Sequence, residues 1–280
     1  MEEIMRKIQQ KASQIAAASP LFACPVCSEP LSITDTSLIC SQNHRFDLAK
    51  KGTVNFLNAP VATEYTETML AARRRVLQAG FFDQFLNAIA DKLTATDRVL
   101  DIGCGEGTPT AKLTPESGTA VGFDISAPAI KLAGALDTSA IFCVADLTHL
   151  PFTDNSFSAI TDIFSPGAYN EFARVLQPGG KIYKIIPAAG YLRELRQALY
   201  ADTPKATYDN SKVLNHFMER YPDATQESIS YDFPVPGALF ADLVEMTPLS
   251  WQAPAAKRAA LLANPPATIH VDVLLLSTTV

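Results

Sequence analysis

Val99-Leu100-Asp101-Ile102-Gly103-Cys104-Gly105-Glu106-Gly107-Thr108 passes from an apolar run straight into a turn with three glycines. A short apolar run closed by such a turn reads as a buried strand handing over to a helix. The same alternation extends outward from it. Apolar runs at 120–123, 141–144, 159–164 and 182–186 read as further strands, and 108–113, 128–136 and 170–176 read as the helices between them. Pro178-Gly179-Gly180 marks a turn ahead of the fifth strand. Strands alternating with helices make an α/β fold with helices on both faces of a parallel sheet. Runs at 228–233 and 269–276 add two strands at the far edge, so the expected sheet is seven-stranded and mostly parallel.

Gly103, Gly105 and Gly107 permit positive φ and close backbone approach to a ligand, and the helix that follows presents free N–H groups. A dinucleotide fingerprint needs its third glycine at position 108, which is Thr. The G-x-G-x-G form, with Asp101 two residues ahead of it, is the one found in S-adenosylmethionine enzymes. Asp124 closes the second strand and can accept both ribose hydroxyls, while Asp146 closes the third and can receive an adenine amino group. Each acid alone also reads as a helix N-cap. Three acids at three successive strand ends favour a nucleoside site. The cofactor contacts expected from this stretch are Asp101, Gly103, Gly105, Glu106, Gly107, Asp124 and Asp146, on a class I S-adenosylmethionine-dependent methyltransferase fold.

Upstream, Cys24-Pro25-Val26-Cys27 sets two thiolates across a tight turn, and Cys40 with His44 follows after twelve residues. Three thiolates and one imidazole make a closed four-coordinate zinc site with no place for water or substrate, so its role is structural. A hairpin of 31–33 and 38–39 around a turn at 34–37 is too small to stand without the metal. Behind it Arg45, Lys50 and Lys51 flank a stretch from Phe46 to Phe56, a composition suited to a phosphate-facing surface with stacking rings, or equally to a solvated face. The chain thus divides into a helical extension (1–19), a zinc-binding module (20–60) and a methyl-transfer domain (61–280).

The composition sets outer bounds. With 48% hydrophobic residues in 280, the chain supports a large core and a small second unit. The net charge of -6 means that nucleic acid would have to meet a local basic patch, because the mean field repels phosphate. No run approaches the length of a membrane span, and residues 1–19 lack the apolar core of a secretory signal and read as an amphipathic helix. Three of the five cysteines cluster with metal spacing, and Cys104 and Cys143 lie in core contexts, so no disulfide framework is expected and the cytoplasm is the expected compartment.

Several segments carry a family likeness. They are Cys24-Pro25-Val26-Cys27, Cys40 to His44 with Arg45-Phe46-Asp47, Met69 through Arg73-Arg74 to Ala79-Gly80, and Asp101 to Gly107. Leu150-Pro151-Phe152, Ala173-Arg174-Val175 with Pro178-Gly179-Gly180, and Met246-Thr247-Pro248 before Trp251 complete the set. In these the chain resembles the bacterial 23S ribosomal RNA guanine-N1 methyltransferases, from about Cys24 to Trp251. The resemblance implies zinc on Cys24, Cys27, Cys40 and His44, and further S-adenosylmethionine contacts at Phe82 and Tyr191. It also implies a homodimer whose zinc modules and catalytic domains form a cleft for a hairpin loop of 23S rRNA, where N1 of a guanine is methylated. Phe164-Ser165-Pro166-Gly167 lies where related enzymes hold the target base with a side-chain oxygen and a backbone carbonyl. Ser165 and Pro166 are therefore the expected catalytic positioners, Asp162 the alternative acceptor, and an ordinary turn the competing reading.

Contact with RNA is expected from Arg73 and Arg74 together with Arg45, Lys50 and Lys51. Three consecutive arginines point around a helix, so at most two of Arg73, Arg74 and Arg75 can face one groove. A base acted on in this way must be unstacked, which suits a loop nucleotide. His149, His216 and His270 have no ligand spacing and receive no role. Two other readings stand beside this one: a small-molecule methyltransferase, which the acidic composition favours, and a non-catalytic zinc-bearing RNA-binding protein, which the intact glycine loop with Asp101 and Asp124 disfavours.

Overall fold

A computed structural model describes residues 2–19 and 21–280. Helix α1 (Glu2–Ala18) leads into a three-stranded antiparallel meander of β1 (Ser32–Thr34), β2 (Ser37–Ile39) and β3 (Arg45–Asp47). The second sheet begins with β4 (Val54–Asn55), β5 (Arg98–Ile102), β6 (Thr119–Asp124) and β7 (Ile141–Val144). It continues with β8 (Phe157–Ile163), β9 (Leu176–Pro187), β10 (Thr225–Pro234) and β11 (Thr268–Thr279). The spatial order is β10-β11-β9-β8-β5-β6-β7-β4, parallel from β9 to β4 and antiparallel across β9, β11 and β10. Around the sheet lie α2 (Glu67–Gln78), α3 (Asp83–Ala90), α4 (Thr108–Lys112), α5 (Ala127–Ala133) and α6 (Tyr169–Val175). The later helices are α7 (Arg193–Tyr200), α8 (Ser211–Arg220), α9 (Gly237–Met246), α10 (Pro248–Trp251) and α11 (Ala255–Ala263). No described helix is long and apolar enough to cross a membrane.

The central strands read as unbroken apolar runs because both their faces are covered, as in all four residues of β7. Alternation along the strands sorts side chains to opposite faces. Val99, Ala120, Phe142 and Ile185 pack toward α2, α3, α7 and α9, whereas Leu100, Val121, Ile141 and Ile186 pack toward α6 and α8. On this second face the layer is completed by α1 and the zinc module: Ile15, Phe22, Leu38 and Phe56 belong to the same core as the strands.

Three expectations change here. The sheet has eight strands instead of seven, because residues 54–55 leave the zinc module and pair in parallel with Cys143 and Val144 at the sheet edge. Pro178-Gly179-Gly180 is a bulge inside β9, not a turn ahead of it: Phe157 faces Leu176, Ala159 faces Lys181, and the residues between are looped out with Gly179 at φ +80. A proline without an N–H cannot hold a ladder position, and a bulge is where a sheet tolerates it. Phe46 and Phe56 form no stacking surface. Their rings pack 5.1 Å apart, and Phe56 stacks on Phe22 in the core.

Docking of the module is made by backbone and lysine contacts. Ala23 N–H donates to the Pro151 carbonyl (3.0 Å) and Thr153 N–H to the Leu21 carbonyl (3.0 Å), so the segment 150–153 acts as an extra strand for the module. From α1, the buried Lys11 ammonium donates to the carbonyls of Thr138 (2.6 Å) and Ala140 (2.7 Å), and Lys7 reaches Leu136 O at 3.1 Å. Burial lowers the Lys11 pKa to about 8. Lys11→Met keeps the apolar stem and strands two carbonyls, so we expect a loss of about 1–3 kcal/mol in urea unfolding. An unchanged midpoint would show that α1 contributes no docking energy through this side chain.

Candidate functional site

The turn after β5 needs left-handed backbone three times: Gly103, Gly105 and Gly107 have φ of +61, +58 and +88. A Cβ on Gly107 would lie 2.8 Å from Ala133 Cβ and 2.9 Å from Phe142 Cζ, so this glycine packs inward. A Cβ on Gly105 would meet only Arg73 Nε, at 3.7 Å, so here the bare backbone faces a cavity.

Buried carboxylates brace this turn from three sides. Asp101 accepts from Thr110 Oγ1 (2.5 Å) and Thr161 Oγ1 (2.8 Å). Burial pushes its carboxyl up to about 6 against those hydrogen bonds. Glu106, fully buried, accepts from Thr108 N–H and Oγ1 and from Arg74 Nε (2.9 Å), while Arg74 Nη2 also binds the Glu106 carbonyl (2.6 Å). Asp124 accepts from Gly105 N–H (2.9 Å) and Ser126 N–H (2.8 Å), and burial raises its carboxyl.

At the carboxyl ends of β5, β6, β7 and β8 lies a cavity of about 740 Å³. It sits where the chain order reverses between β5 and β8, the usual ligand crevice of a doubly wound sheet. Of the cofactor residues expected from sequence, Gly103, Gly105, Asp124, Asp146, Phe82 and Tyr191 line it. Asp101, Glu106 and Gly107 do not; their side chains or Cβ positions are turned into the loop's own support. Apolar walls come from Phe123, Leu147 and Phe164, and the far rim from Thr247, Pro248 and Leu249. The donor set fits S-adenosylmethionine: two strand-end carboxylates for the nucleoside, apolar faces for the adenine, and exposed loop backbone beside them.

Ser165 and Pro166 line the same cavity, and Ser165 Oγ lies against Gly103, too close to leave room for a Cβ there. Phe164 sits at φ +60, which turns the chain sharply after β8. Beneath it a buried pair, Asp162 and Lys184, fixes the turn: Lys184 Nζ donates to Asp162 Oδ2 (2.5 Å) and to the Ser165 carbonyl (2.7 Å), and Ser165 N–H donates to Asp162 Oδ1 (3.2 Å). Asp162 is therefore not a free acceptor for substrate, because it is wholly buried and ion-paired. Burial pushes its carboxyl up to about 6, with Lys184 opposing. A lysine inside the apolar run of β9 was the sequence signal for this pair, since it must find a partner.

In the zinc module, Cys24, Cys27, Cys40 and His44 offer ligand atoms all within 4.8 Å of one another. A zinc ion about 2.3 Å from each sulfur and about 2.0–2.1 Å from nitrogen requires S···S edges of about 3.8 Å and S···N edges of about 3.6 Å. The structure has Cys27 Sγ to Cys40 Sγ at 3.7 Å, and His44 Nδ1 at 3.5 Å from Cys24 Sγ and 3.4 Å from Cys40 Sγ. These three edges match a tetrahedral zinc site, and Nδ1 is the histidine nitrogen turned toward the sulfurs. The Cys24–Cys27 knuckle sits beside the cavity's Asp146 end, where His149 Nε2 lies 3.1 Å from the Pro25 carbonyl.

The arginine run does not form an RNA-facing stripe. Arg74 is pinned to Glu106, Arg75 forms a two-pronged pair with Asp242 (2.6 and 2.5 Å), and Arg73 lines the cavity over the Phe82 ring. The helix directs all three toward its own protein because α2 is wedged between the glycine turn and α9. Arg45 is exposed but paired with Asp47 (2.8 Å), whereas Lys50 and Lys51 are exposed without a pair among the described residues.

Comparison with known proteins follows the same two parts. Residues 22–63 match the family model described as RlmA, N-terminal, and residues 99–180 match a methyltransferase domain. YxjB of Bacillus subtilis (strain 168), provisionally named a 23S rRNA (guanine-N(1)-)-methyltransferase, is 34% identical over 90% of this chain and 95% of its own. The 23S rRNA (guanine(748)-N(1))-methyltransferase of Streptomyces fradiae is 30% identical over 81% of this chain and 85% of its own. A Haemonchus contortus phosphoethanolamine N-methyltransferase 2 structure overlays with a TM-score of 0.49 at 17% identity, covering 78% of this chain and 58% of that one. Fold and site define a class I methyltransferase, dependent on S-adenosylmethionine, that carries a structural zinc ribbon. The chain belongs to the 23S rRNA (guanine-N1)-methyltransferase family.

Two outcomes are expected. Purified protein should hold one zinc per chain, and Cys40→Ala should abolish it and lower the melting temperature, because metal binding is folding energy here; a metal-free variant melting like the parent would show the site to be idle. Lys184→Met leaves Asp162 buried without its partner and should cost about 3–5 kcal/mol at pH 8. Because the folded carboxyl titrates above its unfolded value, it binds its proton more tightly when folded, and stability tied to it declines as pH rises through about 6. Lys184 opposes that rise, so its removal moves the carboxyl higher still and the variant keeps losing stability above pH 6 where the parent no longer does. The deficit should be smaller at pH 5 than at pH 8, and a pH-independent deficit would rule out the buried charge as its cause.

Proposed function

We propose that this protein transfers the methyl group of S-adenosylmethionine to N1 of a guanine in a hairpin loop of 23S rRNA, in the cytoplasm and as a homodimer. The observation that carries the reading is the fusion of a closed zinc ribbon onto the cofactor sheet, in a chain aligned with its relatives over nearly their whole length. S-adenosylmethionine supplies an electrophilic methyl group. What remains for the protein is to hold the donor, admit one unstacked base and accept a proton from guanine N1.

Asp124 and Asp146 keep lone pairs for the nucleoside: each oxygen of Asp124 accepts a backbone N–H, and Asp146 Oδ1 accepts from Thr148 N–H and Oγ1 (both 2.8 Å) while Oδ2 has no donor among the described residues. Phe82 and Tyr191 offer faces to the donor, with the Phe164 ring 5.5 and 5.2 Å from theirs. The target base enters where the Ser165 turn meets Gly103. There the Ser165 carbonyl already accepts from Lys184, which leaves Ser165 Oγ and the Pro166 carbonyl as acceptors toward the Watson–Crick edge of guanine. The zinc ion has no open position and no chemical step. Its module offers Arg45, next to the ligand His44, and Lys50 with Lys51, toward the amino end of β7 where Lys51 packs by Gly134, as the cations for RNA phosphates.

Labelled S-adenosylmethionine should label 23S rRNA that lacks the modification, with a single primer-extension stop at a loop guanine. Lys50→Glu with Lys51→Glu should weaken RNA binding and flatten its log–log salt dependence by about 0.7 per lost phosphate contact, with zinc content unchanged. Label appearing only in small molecules from a metabolite extract would overturn the RNA assignment.

A further inference from the structure

Arg73 is the residue whose place the rest of the site does not explain. It lines the cavity, is only partly exposed, and has no ion pair or hydrogen bond among the described residues. Its guanidinium rests on the Phe82 ring, 5.4 Å from the centroid, and its Nε lies 3.7 Å from where a Gly105 Cβ would stand. Burial raises the carboxyls of Asp101 and Asp124 and the phenol of Tyr191, and the Arg73 charge opposes that rise in the two acids and in Tyr191 alike. A guanidinium so placed has five donors and, in the protein itself, no acceptor for them.

The cavity's charges are laid out along the strand ends. Asp146 and Asp124, after β7 and β6, take the nucleoside, so the amino-acid end of the donor must extend the other way, over Gly105 and Gly103 after β5. Three cations line the cavity: Arg73, Arg196 and Lys205. Arg196 lies on the Tyr208 ring (4.8 Å) with contacts to the Tyr191 and Lys205 carbonyls, and Lys205 donates to Gln252 (3.0 Å), so both have partners at the far rim. Only Arg73 stands over the glycine turn with its donors unused.

We propose that Arg73 binds the carboxylate of the methionine moiety of S-adenosylmethionine, with the Phe82 ring holding the guanidinium flat. This rests on the function proposed above and assigns the donor-recognition residue within it. It also reassigns Arg73 from an RNA contact to a cofactor contact. The planar fork suits a carboxylate better than a lysine would, since two parallel hydrogen bonds fix the orientation as well as the charge.

The test is calorimetric titration of the full-length, zinc-loaded protein with S-adenosylhomocysteine and with its decarboxylated counterpart, for the parent, Arg73→Met and Arg73→Lys. The parent should prefer the carboxylate form by about 10- to 100-fold, the range of a hydrogen bond to a charged group. Arg73→Met should bind both ligands alike, and should bind the decarboxylated one at least as tightly as the parent does, because a cation facing its ammonium has gone. Arg73→Lys should recover part of the preference. If Arg73→Met keeps the parent's preference, or loses both ligands equally, the assignment is overturned. No binding of either ligand to the folded parent would instead remove the methyl-transfer reading itself.

Discussion

The structure turns on a backbone loop too tight to carry side chains and on the buried carboxylates that hold it. Between β5 and α4 the chain adopts positive φ at Gly103, Gly105 and Gly107, which brings bare backbone to the edge of the cavity. Such a loop leaves N–H groups that no neighbouring strand pairs. Asp124 accepts the N–H of Gly105, Glu106 accepts that of Thr108, and Asp101 ties the strand below to Thr110 and Thr161. Each acid would be costly in isolation and is tolerable because its oxygens are occupied. The same requirement draws Arg74 inward onto Glu106, and so fixes the angle at which α2 crosses the loop. The neighbouring Arg73 is left aimed at the cavity by its helix position alone.

A second constraint links the metal to the sheet. The three strands of the zinc ribbon are each three residues long and have little core of their own. Their apolar side chains, with Phe22 and Phe56, instead complete the layer that covers one face of the parallel sheet. The ribbon is therefore one wall of the catalytic domain, further secured by α1 and its buried lysine. This geometry sets the Cys24–Cys27 knuckle beside the adenine end of the cavity. The metal is thereby held close to the cavity while its closed coordination keeps it out of the reaction.

Sequence reading succeeded where the physical cause is local. Strand and helix periods, the glycine turn and the four metal ligands each arise from residues close together in the chain, and the structure places β5 to β8 within two residues of the expected runs. It failed where a long side chain chooses among distant partners. The run Arg73-Arg74-Arg75 has the composition of a phosphate-binding stripe, but which way each points depends on Glu106 and Asp242, thirty and more residues away. Phe46 has the composition of a stacking platform and is instead packed against Phe56. Glu106 and Asp101 have the spacing of ligand contacts, yet their oxygens are taken by threonines and by Arg74.

By itself, then, the chain of residues determined the α/β class, the adenosyl-type loop, the zinc ligands and the family, because each follows from short-range pattern and spacing. Tertiary structure alone decided that the zinc ribbon adds a strand and a layer to the catalytic sheet, that His44 turns Nδ1 toward the cysteine sulfurs, that Lys184 and Asp162 set the Ser165 turn, and that Arg73 faces the cavity. These outcomes depend on which buried charge and which apolar face find each other across the fold. Burial makes an unpaired group expensive, and only the assembled core determines which partner is within reach.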